Sequence, residues 1–183
     1  YWYSEFGNGF LADVYKTSGT YQKKLYSITD ADPMINNVMY YNVNLVNDLI
    51  RSGHLDKTPA EIFNEGKWTY SAFRDYAIKA QKGLDIHFSN DLYDVYAVSG
   101  YATYYLIGMV DTSGMGMVDV ENFTVNINDT VPQKAAEALK AISEAGAMRP
   151  TRTSDGLSNA NGANSFTKGR GIFDTGDLWF VGN

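Results

Sequence analysis

Strand-like and helix-like segments alternate along this chain, and the stretch "TPAEIFNEGKWTYSAFRDYA" (residues 58–77) fixes the middle of the pattern by starting two helices in succession. Thr58 can cap a helix, Pro59 fits the first helical position, and Glu61 stands where a capping box needs an acid. Gly66 closes that short helix, and Thr69 caps the next. Trp68 precedes the second cap and Phe73 occupies its fourth helical position, the spacing of a hydrophobic staple, so Trp68 is expected to be structural. Phe73, Tyr76, Ala77 and Ala80 form the buried face, and the helix is expected to end near Gly83.

Around this pair the other segments fall into place. Residues 23–29 ("KKLYSIT") and 37–42 ("NVMYYN") read as strands, with Asp30, Asp32 and Pro33 between them. Val43, Val46, Leu49 and Ile50 recur at helical spacing up to Gly53. Residues 95–101 read as a strand, 102–110 as an apolar helix packed behind it, and 123–127 as a further strand. A helix capped by Thr130 runs through Ala135, Ala138, Leu139 and Ile142 to Gly146. A Ser, Asn, Asp and Gly loop then leads to a short helix at residues 164–168 and a strand at 171–175 that delivers "GDLWF" to an edge. Such alternation implies an α/β fold with helices on the faces of one sheet.

The glycines of the last segment bind no nucleotide. Gly171 and Gly176 have the spacing of a phosphate loop, but Asp177 and Leu178 stand where Lys and Ser or Thr are required. Gly169 and Gly171 open a dinucleotide pattern whose third glycine is Asp174. A net charge of −6, with no basic cluster longer than Lys23 and Lys24, argues against a nucleic-acid partner. There are no cysteines, and His54 and His87 are far apart in sequence, so neither a metal nor a cofactor is expected. Residues 84–94 collect acids, but His87 and Asn90 occupy the third and sixth positions of any calcium loop there, and a solvated loop is expected. No nucleophile elbow is present, whereas a pair of carboxylates for glycoside hydrolysis is a spatial feature that stays open. Of the fourteen tyrosines and three tryptophans most are expected to be half-buried packing residues, and the alternative for a subset is a stacking face for a flat-sided polar ligand such as a sugar.

Six segments in order carry a resemblance: "KLYSIT", "VMYYNVNLVNDL", "TPAEIFNEGKWTYSAFRDYA", "VYAVSGYATYYLIG", "VPQKAAEALKAI" and "NSFTKGRGIFDTGDLWFVG". Together they resemble the extracellular solute-binding proteins of ABC importers, the sugar-binding family that includes maltose-binding protein. The resemblance implies the second lobe of a type II periplasmic-binding-protein-like fold over residues 25–183, incomplete at its C-terminal end, with residues 1–24 a remnant of the first lobe. A start without Met is in keeping with a fragment boundary. It further implies a noncatalytic receptor that captures an oligosaccharide or similar solute between two lobes and passes it to ABC permease subunits. The full-length protein would then be a membrane-anchored extracellular lipoprotein or periplasmic.

By that resemblance Tyr101 and Trp179 are stacking faces, Tyr104 is a second aromatic one helical turn on that fits the core equally well, and Asp177 accepts from ligand hydroxyls. Asp32 and Asn36, in the first crossing, complete the expected ligand-binding set. Two departures stand out: the opposite lobe is missing, and residues 84–94 lack an acidic, glycine-rich pattern found in some members. A lone lobe would bind sugar no tighter than about millimolar, near −4 kcal/mol. The competing classes are a carbohydrate-active enzyme domain and a surface interaction module.

Overall fold

In the computed structural model, the described residues are 19–26, 38–89, 94–119, 122–150 and 162–176. Along them run β1 (Thr20–Tyr21), β2 (Lys24–Leu25), β3 (Val38–Tyr41), α1 (Val43–Arg51), α2 (Pro59–Asn64) and α3 (Tyr70–His87). Then follow β4 (Tyr96–Val98), α4 (Ala102–Thr112), β5 (Val118–Asp119), β6 (Thr124–Val125), α5 (Thr130–Glu144), α6 (Gly162–Thr167) and β7 (Gly171–Gly176). The class is α/β. The strands form three small sheets among the described residues, β1–β2, β5–β6 and β3–β7–β4, where a single sheet was expected.

β7 is the middle strand of the largest sheet. It pairs antiparallel with β3, Tyr41 opposite Phe173, and parallel with β4, Val98 opposite Phe173. Met148 adds a parallel bridge to Val98 beyond it. Being flanked on both edges, β7 is buried from Gly171 through Thr175. Ile172, Phe173, Val98, Phe73, Leu49 and Ile142 share the core around it. α3 packs on β4 and α5, and α4 packs on α5. The amide of Gln81 binds this arrangement together: its nitrogen donates to the Val95 carbonyl (3.0 Å) and its oxygen accepts from the Ala97 N–H (2.7 Å). Arg149, 1% exposed, lies over the Tyr96 ring and donates to the Asp94 and Arg170 carbonyls.

Local chemistry placed most helix starts correctly. Thr58 Oγ1 accepts from the Glu61 N–H while Glu61 accepts from the Thr58 N–H, completing the capping box. Hydrogen bonding to Thr58 is also the main reason the Glu61 carboxyl is held below its usual range. Thr69 caps α3, and the Trp68 and Phe73 rings meet at 6.0 Å, as a staple requires.

Elsewhere the structure departs from expectation for identifiable reasons. α3 continues past Gly83 to His87, so the first part of the expected 84–94 loop is helical, and residues 90–93 lie outside the described residues. Gly83 answers to packing: a methyl group there would lie 2.8 Å from His54 Cβ and 2.9 Å from Leu49 Cδ2. Lys23 is in a turn instead of a strand; Gln22 and Lys23 both have positive φ and form the two-residue loop between β1 and β2. Of the strand expected at 123–127 only β6 forms, because Phe123 sits at φ 54 in the β5–β6 turn. Asp129 is the N-cap of α5, without a side-chain bond, and Thr130 is its first helical residue. α6 begins two residues before the expected helix. No helix among the described residues is long and apolar enough to cross a membrane.

Candidate functional site

The parallel strand β4 ends at Val98 and the chain turns at once into α4. Ser99 holds the end of the strand, its N–H donating to the Phe173 carbonyl (2.9 Å) and its hydroxyl accepting from Ser165 (3.1 Å). Gly100 then takes φ +86, a conformation that side chains with a Cβ rarely adopt. Tyr101 follows as the N-cap of α4, its carbonyl accepting from the Tyr104 N–H at 3.0 Å. Strand, glycine turn and helix start thus place Tyr101 beyond the carboxyl end of β4, where ligands of open α/β sheets gather.

Tyr101 and Tyr104 are 43% and 49% exposed and meet edge to face, centroids 5.7 Å apart at 86°. Tyr104 was expected to be divided between core and surface; it is on the surface, and its neighbour Tyr105 is the core residue, 1% exposed and stacked on Phe73 at 5.9 Å. These two rings are the only members of the expected ligand set among the described residues. Asp32, Asn36, Asp177 and Trp179 lie outside them.

Beneath the Gly100 turn lies a polar group that sequence reasoning missed. Asp174 is 2% exposed; its Oδ1 accepts from the Thr175 N–H at 2.9 Å, while its Oδ2 has no hydrogen-bond partner among the described residues. The hydroxyls of Tyr105 and Thr175 are likewise buried without a partner among the described residues. Burial pushes the Asp174 carboxyl up to about 6, against which the Thr175 N–H works in the opposite direction. Tyr105 is raised by burial first and by the nearby Asp174 charge second, so its hydroxyl stays a donor. The available signal was a carboxylate inside the apolar strand "GIFDTG", a placement that is costly unless the acid has a task.

A cavity of about 440 Å³ opens beside Tyr104, lined among others by Met39, Trp68, Tyr70, Phe73, Gly108 and Thr175. Tyr104, Gly108 and Thr112 follow one another at helical spacing along it, and the glycine leaves room for the hollow. The Tyr70 hydroxyl crosses from α3 to donate to the Met109 carbonyl of α4. Trp68, read as a staple, is both a staple and a cavity wall. Among the described residues no three His, Cys, Asp or Glu side chains gather as metal ligands. His54 packs against the backbone at Gly83, and the His87 ring meets Phe88 edge to face at 4.8 Å. Comparison with known proteins assigns no family: no family model matches the chain, and no curated protein matches it significantly.

Proposed function

We propose that this chain is the ligand-binding lobe of a solute receptor, the kind that captures a carbohydrate or similar small polar solute for an ABC importer. The observation that carries the reading is the exposed Tyr101–Tyr104 pair, set by a glycine turn beyond the carboxyl end of a parallel strand. Exposed rings lose little by waiting in water and gain when a flat, weakly polar sugar face covers them. The order of the six sequence segments supplies the receptor class and, with it, the expectation of a second lobe, permease partners and an extracellular location.

One observation favours a carbohydrate-active enzyme instead: a buried acid at Asp174 whose carboxyl is pushed up to about 6, as general acids are. Its 2% exposure sets it behind the Gly100 turn, away from any substrate laid on Tyr101. The test is a panel of mono- and oligosaccharides, maltotriose and cellotriose among them, followed by amide NMR and checked for products. Binding is expected at best in the millimolar range, about −4 kcal/mol, because an open aromatic face contributes only about 1 kcal/mol per stacked pair. Turnover by substoichiometric protein would reject the receptor reading, and micromolar binding would show that the whole site lies within this chain.

A further inference from the structure

The turn that carries Tyr101 rests directly on a carboxyl group. A methyl group built on Gly100 would lie 2.6 Å from Asp174 Oδ1 and 3.8 Å from Thr175 Oγ1, so the backbone and these two side chains are in close register. We propose that Asp174 is a positioning residue for the Tyr101 face: its carboxyl, set under Gly100 beside the Tyr105 and Thr175 hydroxyls, holds the turn that aims Tyr101, so that ligand affinity follows the charge on Asp174. This rests on the reading of Tyr101 as a ligand wall.

The surroundings make the carboxyl responsive. From the end of β4 it meets Gly100, on α4 its charge reaches the Tyr105 hydroxyl, and on β3 Tyr40 stands opposite it in register. No Lys or Arg forms an ion pair with it among the described residues, and Thr175 is the one hydrogen-bonding influence on its titration. The neutral form suits such a place. Once ionised, a buried carboxylate must recruit donors. The two hydroxyls at hand are those of Thr175, a short side chain that turns easily, and Tyr105, whose ring is held against Phe73. Drawing on Tyr105 pulls the first turn of α4, which bears both Tyr101 and Tyr104. Burial pushes this carboxyl up to about 6, which places the change near neutral pH.

Two measurements on the chain separate this inference from the functional reading. In the ligand-free protein, the Tyr101 ring resonances should follow pH with a midpoint near 6, lie flat in Asp174→Asn, and titrate at higher pH in Thr175→Val, which removes one donor to the ionised form. A Tyr101 ring that ignores pH in the wild type, or titrates unchanged in Asp174→Asn, overturns the proposal. Should Asp174→Asn fail to fold, Thr175→Val decides: an unmoved midpoint overturns it. The second measurement is maltotriose affinity, expected to be at least about fivefold tighter at pH 5 than at pH 7.5, the low end of ordinary coupling between two sites, and independent of pH in Asp174→Asn. A pH effect on affinity that persists in Asp174→Asn also overturns it. If the ring titrates as stated and no sugar binds at either pH, the positioning of Tyr101 stands and the receptor reading fails.

Discussion

Around Phe173 the rings of Trp68, Phe73 and Tyr76 gather with centroids 5.3 to 6.1 Å away, whereas Tyr101 and Tyr104, one strand-end further on, stand half-exposed in contact with each other. Residue type does not separate the groups, since tyrosines belong to both. Position does. Tyr76 lies on the face of α3 whose rings meet Phe173 of β7, and its hydroxyl escapes isolation by donating to the Lys57 carbonyl at 3.0 Å. Tyr104 and Tyr105 are consecutive, so about 100° of helix rotation sends one to solvent and the other to the core. An aromatic-rich composition therefore says that rings are available, and the phase of each element decides whether a ring stabilises the fold or stands at the surface.

Truncating one ring of each group should separate the two most clearly. Phe173→Ala should cost about 3–5 kcal/mol, as large-to-small core substitutions do, while Tyr101→Ala and Tyr104→Ala should each stay within about 0.5 kcal/mol of wild type. Urea unfolding reads both, and an equal loss at Tyr101 would mean that its ring is part of the core.

Next in size is the pH response of Asp174. Its folded carboxyl titrates at about 6 against an ordinary 3.8, so between those values the folded chain keeps a proton that the unfolded chain has released. The stability this proton contributes is whole below the lower value and is lost as pH rises through the upper one, up to about 3 kcal/mol in all. Asp174→Asn should therefore gain on the wild type by up to that amount between pH 4 and pH 7. A constant difference across that window would show that Asp174 is not desolvated as described. Smaller again is Gly83→Ala. Helix propensity alone predicts a gain of up to about 1 kcal/mol, but contact with His54 and Leu49 should turn this into a loss of about 1–3 kcal/mol. A measured gain would mean that α1 and α3 are less tightly joined than the packing indicates.

How far the sequence could be read followed from the range of the interactions involved. Helix starts were legible because Thr58, Glu61 and Thr69 act within one turn of themselves. The strand at 171–175 was legible as a strand, but its central place depends on pairing with residues far away in the chain, Val38–Tyr41 and Tyr96–Val98. Gly83 was misread because a terminator and a packing glycine look the same until the partner, here His54, is known. At the candidate site, Tyr101 was singled out by the family resemblance, from its place just past the strand that ends before Gly100. Asp174 was missed although it sits inside the apolar run "GIFDTG", because the polar group beneath Gly100 exists only once β7 has been inserted between β3 and β4.

Whether Tyr101 and Tyr104 hold a ligand is decided by comparing maltotriose binding by the wild type, Tyr101→Ala, Tyr104→Ala and the control Tyr26→Ala, an exposed tyrosine at the β1–β2 hairpin. Amide NMR titration at pH 5 should show millimolar binding by the wild type with shifts centred on residues 100–105. Each site variant should weaken binding about fivefold, the equivalent of about 1 kcal/mol of stacking, and Tyr26→Ala should leave it unchanged. Binding that survives both site substitutions intact, or shifts that cluster away from residues 100–105, would contradict the account.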